Sequence, residues 1–194
     1  MVAKREYFGT NPICIAAPRK ESEPFCLGMA PTIISWNKLL GTREKGEFLP
    51  DEYAADKNGN PTDDPELAKA LLPIGGYKGF GISAMGEILC GFLTGMAFGR
   101  SIPSMFTSPM DRPRHLGQFY IVMRVDACQS QLDFELRLQQ MTNEVHSEPS
   151  KTGERVQLAN DPQIEEEQRR QKKGLPVDDS LLNEFHKLSS ELNV

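Results

Sequence analysis

The residues best suited to chemistry lie in one run, Leu72-Pro73-Ile74-Gly75-Gly76-Tyr77-Lys78-Gly79-Phe80-Gly81. Glycines free the backbone for positive φ and clear space for a ligand. The start of a helix leaves N–H groups without partners and carries partial positive charge. A lysine beside such a terminus suits phosphate or carboxylate. The same residues also suit a tight turn against a helix, with Lys78 in solvent. Residue types alone leave both readings open.

Several neighbouring patterns fail on inspection. Gly79-Phe80-Gly81-Ile82-Ser83-Ala84 fits G-x-G-x-x-A, but Pro73 and a helix precede it where a dinucleotide turn needs a strand. No G-x-x-x-x-G-K-[ST] is present. Asp56-Lys57-Asn58-Gly59-Asn60-Pro61 resembles a calcium loop, yet Pro61 stands at the glycine position and Leu67 at the closing glutamate. No metal site is expected. The three histidines are His115, His146 and His186. Each reads as a surface residue, in a loop, a polar linker and a tail helix respectively. Arg112 and Arg114 are further candidates for anion binding.

Around the glycine–lysine run, periodicity supplies the supporting elements. Ile13 to Pro18 alternates as a short strand, Arg19 to Pro24 reads as a charged turn, and Phe25 to Ala30 reads as a second strand. Thr32 to Leu40 reads as a helix with Thr32 as its cap. Asp64-Pro65 is a cap followed by a first helical position, predicting a helix to Leu72. Ile82 to Phe98 predicts a long buried helix whose Gly91, Gly95 and Gly99 touch another backbone. Glu87 and missing basic and aromatic flanks argue against a membrane span. Ser101 to Pro113 is an irregular loop.

Gln118 to Asp126 places Phe119, Ile121, Met123 and Val125 on one face, the pattern of a half-buried strand. Ser130-Gln131-Leu132-Asp133 resembles a capping box, opening a helix to about Val145. Ile164 to Lys173 is a charged, solvated helix, and Asp179 to Leu192 is an amphipathic one. The expected division is an α/β domain over 1–146, a polar linker over 147–161 and a helical segment over 162–194.

The chain has 194 residues and net charge −5. That balance gives no electrostatic footprint for nucleic acid. The four cysteines, Cys14, Cys26, Cys90 and Cys128, form no C-x-x-C pair and read as reduced thiols of a cytoplasmic protein. No signal peptide is visible.

Gly9-Thr10-Asn11-Pro12, Gly59 to Pro65, Leu72 to Gly81, Leu93-Thr94-Gly95 and Pro113 to Phe119, in that order and spacing, resemble the type-2 malate/L-lactate dehydrogenase family. That family also holds ureidoglycolate, sulfolactate and diketogulonate enzymes. The match covers about the C-terminal half of such an enzyme. The resemblance implies an α/β fold with a mixed sheet and packed helices, a non-Rossmann nicotinamide-binding fold, and a C-terminal helical tail. It implies NAD or NADP as cofactor, a small 2-hydroxy or 2-oxo acid as substrate, and a homodimer or association with an N-terminal half.

By the same resemblance, Gly76, Tyr77 and Lys78 contact the cofactor. Met29 and Ala30 match a family Asp-Met-Ala-Thr-Ser motif. Gly28 and Pro31 replace its acid and threonine, and Thr32 keeps a hydroxyl. Lys38 matches a family lysine. Asn160 and Asp161 align with a Pro-Gly-Glu segment set against the cofactor. The family's catalytic histidine falls outside this chain, so no catalytic residue is expected here. A catalytically inactive remnant that only folds or binds is the alternative.

Overall fold

The computed structural model describes residues 6–20, 22–105 and 107–192. The chain is mixed α/β. Its strands are β1 (Ile13–Arg19), β2 (Ser22–Met29), β3 (Ala54–Ala55), β4 (Pro61–Thr62) and β5 (Ala70–Leu71). Its α-helices are α1 (Trp36–Glu44), α2 (Tyr77–Glu87), α3 (Gln131–Ser147), α4 (Asp161–Lys173) and α5 (Asp179–Leu192). The chain divides into two compact units, one of Met1–Ala17 with Cys26–Phe134, the other of Pro18–Phe25 with Glu135–Val194.

In the first unit a three-stranded antiparallel sheet, ordered β4-β3-β5, pairs Ala54 with Thr62 on one side and Leu71 on the other. Its small residues let α1 close over it. Leu39 is fully buried there with Ile34, Leu49, Ala54 and Ala68, and Trp36, Tyr53 and Leu71 pack around them. Ser35, not Thr32, caps α1: its hydroxyl accepts the Lys38 N–H at 3.1 Å. Thr32 instead donates to the Ile34 carbonyl at 2.8 Å.

The expected helix after Asp64 is absent. The Asp64 carboxylate accepts the Glu66 N–H at 2.8 Å, and its own N–H donates to Thr62 Oγ1. Asp and Thr side chains compete with the helical ladder in this way. The chain makes a turn there and then enters β5.

The apolar run is also shorter and less buried than its hydropathy suggests. After Glu87, α2 widens into a π-helical turn over Ile88–Phe92, and Gly95 ends it with φ of 70°. Met85, Ile88, Phe92 and Leu93 are exposed. No helix is long and apolar enough to cross a membrane among the described residues. Of the three glycines expected to touch another backbone, Gly91 alone does so; Gly99 meets the Tyr7 ring and Gly95 has open space around it. Gly91 lies against Phe98 and the Ala97 carbonyl, and Gly117 approaches the Cys90 carbonyl so closely that an added Cβ would sit 1.6 Å away.

Glu87 is 3% exposed and fully partnered. Asn11 donates from Nδ2 to Glu87 Oε2 at 2.9 Å and to the Ser83 carbonyl at 2.9 Å. The Gly99 N–H donates to Glu87 Oε1. Asn11 holds φ of 41°, a conformation that asparagine tolerates.

Gln118 to Arg124 carries no regular secondary structure and joins no ladder among the described residues. Tyr120, Ile121, Val122 and Met123 are all exposed, so the expected half-buried strand is not formed. A strand needs a neighbour's N–H and C=O groups as well as an alternating pattern.

The second unit is helical apart from its share of the β1–β2 hairpin. Ser22 to Pro24, expected in a charged turn, lie in β2, and Glu21 falls outside the described residues. Ser130 caps α3, its hydroxyl accepting the Asp133 N–H at 3.1 Å and donating to the Asp133 carboxylate. On α4, Arg169 and Arg170 bond to Glu166 and hold its carboxyl down at about 2. On α5, Leu181, Leu182, Phe185, Leu188 and Leu192 are all exposed.

Candidate functional site

Two segments distant in sequence meet in the first unit. An isolated antiparallel bridge joins Thr32 to Pro73. The Ile33 N–H donates to the Leu72 carbonyl at 2.9 Å, and the Ile74 N–H donates to the Pro31 carbonyl at 3.1 Å. Thr32 is thereby paired with the lead-in of the glycine–lysine loop, and Met29 and Ala30 precede that bridge in the chain.

That loop then turns into α2. Gly76 holds φ 61° and ψ −117°, a conformation essentially reserved for glycine, and no side chain caps the helix after it. Gly79 sits against Ile74, where an added Cβ would lie 2.4 Å from the carbonyl oxygen. The turn is therefore narrow, as glycine content implies. Gly75 to Lys78 is also exposed, with Tyr77 at 75%. The Gly76, Lys78 and Gly79 N–H groups are taken by the Pro73, Gly75 and Ile74 carbonyls, so the solvent-facing Lys78 side chain is the group here suited to phosphate. Lys38, by contrast, is an exposed residue of α1.

A cleft of about 760 Å³ opens beside the bridge. Thr32, Leu72, Pro73, Phe80 and Ser83 line one part of it, and Tyr7, Phe8 and Gly9 another. Lys57, Lys69 and Arg100 add three cations to its lining, none of which sequence reasoning singled out. Lys57 lies in the turn that resembles a calcium loop. Asp56 spends its carboxylate there on the Asn58 and Asn60 N–H groups at 2.8 and 2.9 Å, and these bonds, that of Asn60 foremost, hold it below its ordinary range. Arg100 bonds to the Glu6 carbonyl at 3.1 Å and lies 5.2 Å from the centre of the Tyr7 ring. Burial pushes the Glu6 carboxyl up, with the Arg100 charge opposing.

Asn160 and Asp161 lie in the second unit. Asn160 adopts φ of 80° and donates from Nδ2 to the Pro24 carbonyl at 3.3 Å. Asp161 is 5% exposed at the start of α4. His146, expected on the surface of a linker, is in the last turn of α3 and brings Nε2 to 2.6 Å from Asp161 Oδ2. The Leu158 N–H donates to the same oxygen at 2.7 Å. Arg155 reaches it at 3.6 Å, and Arg19 approaches Oδ1 at 3.9 Å. Burial works to raise the Asp161 carboxyl, but the Leu158 N–H, His146 and Arg155 outweigh it and hold it low. The Asp161 carboxylate is thus engaged by protein groups. Nε and Nη2 of the buried Arg19 side chain have no partner among the described residues.

His115 stands exposed at φ 49°, and His186 is exposed on α5. Arg112 is exposed, and Arg114 donates to the Pro103 carbonyl at 3.0 Å. No cluster of three or more His, Cys, Asp or Glu side chains suited to a metal ion occurs among the described residues.

Residues 1–186 match the malate/L-lactate dehydrogenase family. The chain is 40% identical over 141 residues to ureidoglycolate dehydrogenase (NAD(+)) of Escherichia coli strain K12, covering 73% of this chain and 40% of that one. It is 31% identical over 188 residues to malate/(S)-sulfolactate dehydrogenase of Methanothermus fervidus, covering 96% and 53%. Malate dehydrogenase of Entamoeba histolytica superposes with a TM-score of 0.84 at 26% identity, over 96% of this chain and 55% of that one. The chain spans about half the length of these relatives, or less.

Proposed function

The chain belongs to the malate/L-lactate dehydrogenase family, and we propose that it is the cofactor-binding portion of an NAD(P)-dependent oxidoreductase. Its reaction would move a hydride between a nicotinamide and a small 2-hydroxy or 2-oxo acid. The observation that supports this reading is the Thr32–Pro73 bridge, which pairs the segment that follows Met29 and Ala30 with the lead-in to Gly76, Tyr77 and Lys78.

In this reading a cofactor phosphate lies beside Gly76 at the positive end of α2, and Lys78 supplies the charge. Tyr77 packs on the cofactor or bonds to it. Thr32 offers its hydroxyl from the cleft wall. The resemblance also offers Asn160 and Asp161, in the second unit, but there the Asp161 carboxylate is held by the Leu158 N–H and His146. The nicotinamide supplies or accepts the hydride when bound. This chain's residues hold and orient it.

No catalytic base is proposed within the chain. Proton transfer would fall to the half of the family enzyme that this chain does not span, supplied by association with an N-terminal half; a homodimer of this chain alone would not bring it. The free thiols fit a cytoplasmic setting.

Fluorescence titration with NADPH and NADH tests the reading. Binding is expected, with Lys78→Ala weakening it about tenfold, the worth of one hydrogen bond to a charged group. Equal binding by the variant would remove Lys78 from the site. A folded chain with no binding would favour a second reading, an inactive remnant that serves as a folding or binding module. Gly28 and Pro31, where the family has an acid and a threonine, support that alternative. Supplying an N-terminal half separates the two: restored turnover supports the enzyme, and none supports the remnant.

A further inference from the structure

Cys14 on β1 and Cys26 on β2 face each other across the hairpin, Sγ to Sγ at 3.9 Å. The two strands are hydrogen-bonded neighbours, so the backbone already holds the pair side by side. Cys14 is exposed and Cys26 half-buried. A disulfide needs its sulfurs at about 2.05 Å, a gap that side-chain rotation closes between cross-strand neighbours. Among the described residues, Cys90 and Cys128 are free thiols without such a neighbour.

We propose that Cys14 and Cys26 form a reversible dithiol–disulfide site that is oxidised by low-molecular-weight disulfides. The order of attack follows from their surroundings. Cys14 is the exposed sulfur, and its thiolate attacks one sulfur of the small disulfide. That S–S bond breaks, and the first small thiol leaves with a proton. The thiol–thiol hydrogen bond shared with Cys14, together with partial burial and the neighbouring sulfur, pushes the Cys26 thiol up and keeps it protonated for the second step. Cys26 then gives up its proton and attacks Cys14 Sγ in the mixed disulfide. The Cys14 bond to the small thiol breaks, and the second small thiol departs. Two protein thiols lose two electrons, and one small disulfide becomes two thiols. The site does not rest on the cofactor reading.

The test is incubation of the full chain with oxidised glutathione, followed by tryptic digestion without reductant and mass spectrometry. Trypsin cuts after Arg19 and Lys20, between the two cysteines. A bridge therefore joins two peptides that otherwise separate. The expected result is that linked pair, lighter than its parts by two hydrogen atoms and lost on adding dithiothreitol. Cys14→Ser and Cys26→Ser should each leave the remaining cysteine as a stable glutathione adduct. The wild-type chain should form the bridge within a single copy at any protein concentration. Three results would each overturn the proposal: separate adducts persisting on both cysteines of the wild type, bridges from either cysteine to Cys90, Cys128 or a second copy, or no oxidation while Cys128 is modified.

Discussion

At the scale of single residues, the buried carboxylates show how local chemistry sets the response to mutation and pH. Glu87 accepts from Asn11 and from the Gly99 N–H. Glu87→Gln would set an amide N–H₂ against that of Asn11, or cost the backbone bond. Turning Asn11 over to accept would then break its bond to the Ser83 carbonyl. A loss of roughly 1–3 kcal/mol is expected from urea unfolding. Asp161 is held low in the folded state. Its stabilisation is therefore present above the ordinary aspartate range and is lost as pH falls through that range and below it. Asp161→Asn should lower stability near neutrality by about 3 kcal/mol, because it strands the buried Arg19 charge. The variant should also unfold less steeply with acid. An unchanged acid limb in thermal scans between neutral and strongly acidic buffers would place the acid sensitivity elsewhere.

At the scale of elements, what was legible from sequence was what local signals alone decide. Ser130 with Asp133 announced the start of α3, and the spacing of Leu181, Phe185, Leu188 and Leu192 announced α5. The glycine–lysine loop was legible as a helix start, since Gly76 has no substitute at its φ and ψ. Three readings missed because the deciding partner was remote or the competitor subtle. An Asx turn at Asp64 displaced a helix. The alternation from Phe119 to Val125 found no ladder. His146 found a carboxylate at the start of the next helix. The cleft cations Lys57, Lys69 and Arg100 carried no motif at all. Glycines are also unequal in what surrounds them. Gly81 has open space around it, so Gly81→Ala should raise stability by about 0.5–1 kcal/mol through helix propensity. Gly117→Ala should lower the melting temperature markedly, since its Cβ would collide with the Cys90 carbonyl and Thr94 Oγ1. Differential scanning fluorimetry of the pair reads both signs in one experiment.

At the scale of the whole molecule, the chain carries more exposed apolar side chains than an isolated domain tolerates quietly. Val122 is 94% exposed in the run Gln118 to Arg124, which pairs with no strand among the described residues. Such an edge is a template for pairing with another chain. Sedimentation at increasing concentration should show self-association, and Val122→Lys should shift the weight-average mass toward the monomer. A wild-type chain that stays monomeric throughout the range would show that this run is not the contact.

The Thr32–Pro73 bridge has a consequence for how ligand affinity is to be understood. The two sides of the proposed site touch only after a long stretch of chain has closed on itself. The site is thus a property of a population. The affinity measured is the intrinsic one reduced by the fraction of molecules with that contact made. A mutation far from the cleft that merely loosens the closure would weaken binding without touching the ligand. Conversely, any small molecule that occupies the cleft would report itself as a rise in unfolding temperature that grows with its concentration.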